Sequence, residues 1–371
     1  MSGASHVYLG GRRRRRVAIL VLLVGGGLLL AACSGTDPTN LARVVDGANP
    51  QNSLDAKGPD ATTINHLYWM VFAIAAAVFV LVQGLLLVAI FRFRQRKGKE
   101  RPVRQVHGNM RLELVWTIIP VLILAVIAVP TLSTLFDLRQ APDPSENALQ
   151  VEVTGHQWWW QFTYPDYGFT TANELHIPVD RPVYLTMTSA DVIHSFWVPP
   201  LNGKRDVVPG RTSNLTLQAD DPGVYVGQCA EFCGLAHADM RIRVFAQTPE
   251  DFETWALAQA QPAVIPTDGA AAAGWETFST NCIACHAIDG TPAQVQLAPN
   301  LTHLASRTAF AGATIDNTPE NLAAWLHDPS SLKPMRPDLN KPSLGRIMGM
   351  PNFHLTDQQI EDLVALLETL K

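Results

Sequence analysis

Residues 229–240 read CAEFCGLAHADM, which brings Cys229, Glu231, Cys233, His237 and Met240 together in one short stretch. Thiolates favour copper(I), zinc and iron–sulfur iron, imidazole suits copper, zinc, iron and nickel, and a thioether is a weak axial copper ligand. Structural zinc takes a closed set of Cys and His without Met, so this set favours copper. A Cys229–Cys233 disulfide would leave His237 and Met240 unexplained. The set lacks a second histidine, and His194 in SADVIHSFWVPP is the best candidate. A second pair lies downstream, where Cys282-x-x-Cys285-His286 has the spacing of a c-type haem attachment motif. A thioredoxin-like CxxC or half a zinc site are the competing readings of that spacing alone. The chain has five cysteines, an odd number that suggests cysteines used for chemistry rather than a disulfide scaffold.

The elements that must position these residues are segregated along the chain. Net charge is only −5, which argues against a nucleic-acid partner. Residues 1–33 read as a lipoprotein-type signal peptide, with Arg12 to Arg16, an apolar stretch too short to span comfortably, and LAAC ending at Cys33. Residues 34–63 form an extracytoplasmic segment. Residues 64–138 form a transmembrane hairpin with helices at about 66–91 and 113–136, each long enough to cross a bilayer. The loop between them, 92–111, carries eight Lys or Arg and one Glu, which makes it cytoplasmic. Everything after Phe136 is then outside, as the export signal also requires. Residues 148–247 hold short runs rich in Val, Thr and aromatics, separated by Pro, Gly, Asn and Asp, the pattern of an antiparallel β-sandwich or barrel. Residues 258–273 are a Pro, Ala and Gly-rich linker. Residues 274–371 are helical in pattern: Leu322, Trp325 and Leu326 share one face, as do Ile360, Leu363, Val364 and Leu367.

With His194, the 229–240 loop resembles the binuclear copper (CuA) site of cytochrome c oxidase subunit II. The resemblance implies a cupredoxin-like sandwich in which Cys229 and Cys233 bridge two coppers and His194 and His237 cap one each. Met240 and the Glu231 carbonyl become weak ligands, and the Glu231 carboxylate faces a magnesium at the subunit I interface. GHQWWWQFTYPD (155–166) resembles the family's aromatic segment, which makes Trp158 the electron-input residue; Trp159 departs from the family's tyrosine. LELVWTIIP (112–120) resembles the start of the second membrane helix, with Glu113 at the mouth of a proton path; a helix-start acid favoured by the macrodipole is the alternative. RDVVPGR (205–211) also fits, with Asp206 and Arg211 near the catalytic subunit. The C-terminal region resembles an all-α class I cytochrome c. There Pro299 lends its carbonyl to His286, and Met350 in GMPNF is the distal ligand, with Met348 its competitor and Met335 ordinary packing. His303, His327 and His354 read as surface residues.

Together these features imply a multidomain caa-type subunit II in a bacterial plasma membrane, multi-pass, with both soluble domains outside. The resemblance brings subunits I and III, membrane lipid at Cys33, and cytochrome c or a cytochrome bc complex as donor. It implies electron flow from covalent haem c to CuA and on to subunit I, where oxygen becomes water with proton translocation. Cysteine use fits, with one for lipid, two for copper and two for haem. A CuA-bearing nitric oxide reductase subunit remains an alternative. A copper chaperone of oxidase assembly is disfavoured by Met240, the hairpin and the haem motif. Nitrous oxide reductase would need a large His-rich domain, and a quinol oxidase subunit would lack Cys229 and Cys233.

Overall fold

Two long apolar helices begin the described part of the chain, α1 (Pro59–Arg92) and α2 (Met110–Asp137), each holding an 18-residue stretch whose mean hydropathy is 2.8 in α1 and 2.6 in α2. The structure is a computed structural model that describes residues 48–94, 98, 105, 107–337 and 348–371. The signal segment with Cys33, half of the basic loop and residues 338–347 lie outside the described residues. Both helices expose large side chains such as Phe79, Leu85 and Leu124, as a lipid or subunit contact requires.

The helices start earlier than their hydropathy alone suggests. At 1.5 Å per residue, the 34 residues of α1 reach about 51 Å, well beyond a ~30 Å hydrocarbon core. Its first turn plugs into the next domain instead. Ala61 is buried there, and Asp60 accepts a hydrogen bond from Asn202 Nδ2 at 2.8 Å. Asn109 caps α2, its side chain accepting from the backbone N–H groups of Arg111 and Leu112. Glu113 Oε1 in turn accepts from Asn109 N at 3.3 Å. The carboxylate thus closes a reciprocal cap at the helix start.

Strands β1 (Leu149–His156), β2 (Trp159–Tyr164), β3 (Phe169–Ala172), β5 (Val183–Ser189) and β8 (Ser213–Leu217) form one sheet in the order β3-β2-β1-β5-β8. The facing sheet runs β4-β10-β9-β6-β7, from β4 (Glu174–Pro178), β6 (His194–Trp197), β7 (Arg205–Val207), β9 (Gly223–Cys229) and β10 (Arg241–Gln247). Alternation sets the inward faces: Leu149, Val151 and Val153 of β1 are buried while Gln150 and Glu152 are exposed. Trp160, Phe162, Leu185, Met187, Phe196 and Ile242 fill the space between the sheets. This is the expected cupredoxin-like sandwich, but it is mixed rather than antiparallel. β1 runs parallel to β5, and β4 parallel to β10. The cause is the chain's switch between sheets at β4 and back at β5, which brings β5 in alongside β1 from the same end.

The linker is shorter than its composition implies. Thr248 caps α3 (Pro249–Gln259), whose Phe252 and Ala256 bury against the sandwich. The alanine run belongs to α4 (Gly269–Asn281), leaving 260–268 between the helices. α4 crosses α7 (Asp357–Leu367) at Gly274, where a Cβ would stand 2.1 Å from Asp362 O. A capping box of Thr356 and Gln359 starts α7, and Ile360, Leu363, Val364, Leu366 and Leu367 are its buried face. Between them lie α5 (Pro319–His327), α6 (Pro329–Leu332) and a two-stranded ribbon, β11 (Ala309–Phe310) with β12 (Ile315–Asp316), so this domain is not purely helical. His303 is also not a surface residue. It is buried, bonding Lys371 O and Gln261 O through its two ring nitrogens and pinning the linker to the C-terminus.

Candidate metal and haem centres

The 229–240 loop connects two paired strands. β9 delivers Cys229, β10 begins at Arg241, and Cys229 N donates to Met240 O at 2.9 Å to close the loop at its base. The sheet order puts β6 beside β9, with Phe196 opposite Cys229 and Ala230 N bonded to Ser195 O, so His194 stands against the loop. It is the first residue of β6.

Six donors converge. Cys229 Sγ lies 3.8 Å from Cys233 Sγ, 3.9 Å from His194 Nδ1 and 3.2 Å from Glu231 O. Cys233 Sγ lies 3.5 Å from His237 Nδ1 and 3.8 Å from Met240 Sδ. Each sulfur thus has one imidazole and one weak donor beside it. Cys229, Cys233, His194 and Met240 are buried, while the Glu231 side chain is exposed and contributes only its carbonyl here. A soft set of thiols, imidazoles and a thioether without an inward carboxylate fits copper. Hydrogen bonding from the Cys233 thiol, with help from His194, holds Cys229 well below the ordinary thiol range, and that neighbouring thiolate pushes Cys233 up.

Asp191 orients His194, and nothing in the sequence pattern singled it out. Its Oδ1 meets His194 Nε2 at 2.8 Å and accepts from Val192 N, and its Oδ2 accepts from Gln157 N at 2.7 Å. This leaves Nδ1 facing Cys229. Burial opposes charge on His194, but Asp191 and Cys229 outweigh it and hold the ring above its ordinary value. Trp158 is buried at the start of the β1–β2 turn. Its Nε1 donates to Cys233 O at 3.1 Å, and Gln157 Nε2 donates to the same carbonyl at 2.7 Å. Trp159 stacks on His156 at 4.2 Å, and Trp160 packs edge-on to His194 at 5.8 Å. Asp206 accepts from Ser195 Oγ, steadying β6. A cleft lined by Ile64, Trp197, Lys204, Gln228, His237 and Arg241 opens beside the loop.

The second centre is built differently. Cys285 N and His286 N both donate to Cys282 O, winding the CxxCH segment into a turn at the end of α4. His286 Nδ1 lies 2.7 Å from Pro299 O. A carbonyl only accepts, so Nδ1 carries the proton and Nε2 keeps a lone pair for iron. Burial lowers the affinity of His286 for a second proton, as a neutral ligand requires. Burial also pushes Cys282 up to about 12 and raises Cys285, so these are neutral thiols. Two thiols in one turn, with the adjacent His286 held through Nδ1 so that Nε2 is left for iron, fit covalent haem. Met350 packs against both hydrophobic cores, and its Sδ accepts from Trp325 Nε1 at 3.1 Å. Met348 and Met335 pack against the sandwich core, with Met335 buried in it.

Known proteins agree with this layout. Residues 49–134 match the family described as Cytochrome C oxidase subunit II, transmembrane domain, residues 168–247 match its periplasmic domain, and residues 271–371 match Cytochrome c. Cytochrome c oxidase subunit 2 of Alkalihalophilus pseudofirmus is 37% identical over 330 residues, covering 88% of this chain and 92% of that protein. Its counterpart from Bacillus sp. PS3 is 37% identical over 296 residues, covering 75% and 80%. Quinol oxidase subunit 2 of Bacillus spizizenii is 37% identical over 216 residues, covering 57% and 67%. A span this long at this identity, with both membrane and soluble regions matched, makes the chain a membrane-bound member of the cytochrome c oxidase subunit 2 family, carrying extracytoplasmic domains and a cytochrome c domain at its C-terminal end.

Proposed function

We propose that this chain is the electron-input subunit of an oxygen-reducing haem–copper oxidase in a bacterial plasma membrane. Haem c on Cys282, Cys285 and His286, and a two-copper CuA centre on the 229–240 loop and His194, would supply one-electron stations between an external donor and subunit I, where oxygen is reduced to water with proton translocation. The observation that carries the reading is the convergence of two thiols, two imidazoles, a thioether and a carbonyl in one buried loop, on a chain that also carries the CxxCH turn.

The chain's own residues have distinct tasks. Cys229, Cys233, His194 and His237 would hold the copper ions, which would supply one-electron chemistry when bound, and Asp191 fixes the His194 ring. Met240 Sδ and the Glu231 carbonyl, beside the two sulfurs, would add weak donors to that set. Pro299 fixes His286 for iron, and Met350 would be the distal ligand when haem is bound. Trp158, bonded through Nε1 to the Cys233 carbonyl, would be the electron-entry residue of the copper centre. The exposed Glu231 carboxylate suits a hard cation such as magnesium at the subunit I interface. Glu113 stands where a proton path into subunit I would open, although its bond to Asn109 also supports a plain capping role. Subunit III, lipid on Cys33, and cytochrome c or a cytochrome bc complex as donor complete the proposal.

The test is an inventory of the complex purified with this chain. Two coppers and one covalent haem per chain, a co-purifying catalytic subunit, and oxygen rather than nitric oxide turnover are expected. An electron paramagnetic resonance signal from one electron shared equally by two coppers is expected as well. A mononuclear copper spectrum overturns the two-copper centre.

A further inference from the structure

Lys333 follows α6 in the cytochrome domain, yet its Nζ ends against the copper loop. It is buried, and it donates to three main-chain carbonyls: Trp158 O at 2.8 Å, Asp239 O at 2.9 Å and Ala311 O at 2.9 Å. An ammonium has three N–H groups, and all three are used. A lysine beside water would extend its head into solvent; this one is spent inside the contact. Asp239 sits between His237 and Met240, and Trp158 holds Cys233 O, so both sandwich acceptors belong to the wall of the copper loop.

The third acceptor belongs to a turn shaped for the contact. Ala311, Gly312 and Ala313 all have positive φ, of 53°, 79° and 57°. Two alanines in this region are strained, and such backbone persists where surrounding structure fixes it for a purpose. Here it turns Ala311 O toward Lys333 and Gly312 O toward Arg241 N, which donates at 2.9 Å. A Cβ on Gly312 would stand 2.3 Å from Asp239 O and 2.6 Å from Lys333 Nζ, so the surfaces meet with no spare room. A second polar contact repeats the logic nearby. The buried Glu174 carboxylate accepts from Thr308 N and Ala309 N, and Arg243 Nη1 donates to Thr308 Oγ1 at 2.6 Å. Buried polar contacts of this kind select one register, because any slide leaves groups unpaired.

We propose that Lys333 is a positioning residue that clamps the cytochrome domain onto the wall of the copper loop, holding the two candidate redox sites in one fixed pose rather than on a swinging tether. The benefit of a fixed pose rests on the haem and copper assignments above, but the clamp is a property of the polypeptide and is read without either group's activity.

The experiment uses the full chain in detergent, with a site-specific protease sequence inserted after Val264 in the 260–268 linker. After cleavage, the wild-type cytochrome fragment should stay bound through size-exclusion chromatography. Lys333→Met, which keeps the stem and removes the donors, should weaken retention by about tenfold or more, and Gly312→Ala should do the same by steric contact. Hydrogen exchange on the uncut wild type gives the measurement that needs no variant: the amides of Arg241, Thr308 and Ala309 should be strongly protected. In Lys333→Met they should lose about tenfold or more of that protection, while α4 amides keep theirs. Release of the wild-type fragment on cleavage, coil-like exchange of those three amides, or a Lys333→Met chain retained as tightly as wild type would each overturn the clamp. A chain that lacks copper or haem yet stays clamped would leave it standing while refuting the redox assignment.

Discussion

The two cysteine pairs of this chain have opposite surroundings. Cys229 and Cys233 face each other at 3.8 Å among imidazoles, a carbonyl and a thioether. Cys282 and Cys285 belong to an apolar turn where burial keeps both as thiols. In the candidate copper pair's surroundings, β9 and β6 carry Cys229 and His194, and the loop closed between β9 and β10 carries Glu231, Cys233, His237 and Met240. The haem pair has only half of its site built by protein: His286 is fixed by Pro299, but Met350 is engaged by Trp325. Spacing names both motifs, and their surroundings differ: imidazoles, a carbonyl and a thioether around one pair, a turn at the end of α4 around the other.

The largest effects should come from breaking each pair separately. Cys229→Ser should abolish the copper centre's near-infrared absorption and leave the haem c spectrum intact. Cys282→Ala with Cys285→Ala should remove covalent haem, read as loss of haem staining in a denaturing gel, and leave copper content unchanged. Loss of both groups in either variant would show that the sites are built together and would erase the contrast.

A smaller effect should follow at Asp191, which touches His194 and not the sulfurs. Asp191→Asn keeps the shape and weakens the orienting bond, so copper affinity should fall by about 10–100-fold in a competition titration with a chelator. An unchanged affinity would mean that β6 alone fixes the ring. In the haem domain, Met350→Leu should remove the sulfur-to-iron charge-transfer band while haem stays covalently attached. If Met348→Leu removes it instead, the ligand moves by two residues and the Trp325 bond is the resting partner of a packing methionine.

The contrast also explains what was legible in the sequence. Motif chemistry is local, so CAEFCGLAHADM, His194 and CxxCH could be read directly, as could the hairpin from hydropathy and α7 from its apolar spacing. Asp191 was missed because its role depends on a turn that folds it back three residues onto His194. Lys333 and the Ala311–Ala313 turn were missed because their partners, Trp158 and Asp239, are far away in sequence. The linker was read as too long because alanine is equally at home in a flexible stretch and in the first turns of α4. The parallel strand pairs were invisible because alternation reports which face is buried and says nothing of strand direction.

The smallest effect concerns stability, and it tests whether the sandwich stands without its cofactor. His176 of β4 lies between Phe245 at 4.6 Å and Trp255 at 3.9 Å, with Nδ1 bonded to Gln247 Oε1. Burial there pushes its pKa down to about 4, against the pull of Gln247. Unfolding restores an ordinary value near 6.5. Between these values the unfolded chain binds a proton that the folded chain does not, so stability is retained above about 6.5 and lost as pH falls toward 4. The slope is at most about 1.4 kcal/mol per pH unit. In copper-stripped chain, the guanidinium midpoint of the sandwich should fall over that range, and His176→Gln should flatten the slope. A wild-type profile with no slope would mean that the ring takes up its proton while still packed between Phe245 and Trp255. A sandwich already unfolded without copper at pH 7 would remove the contrast itself, because the copper pair would then depend on its cofactor as much as the haem pair does.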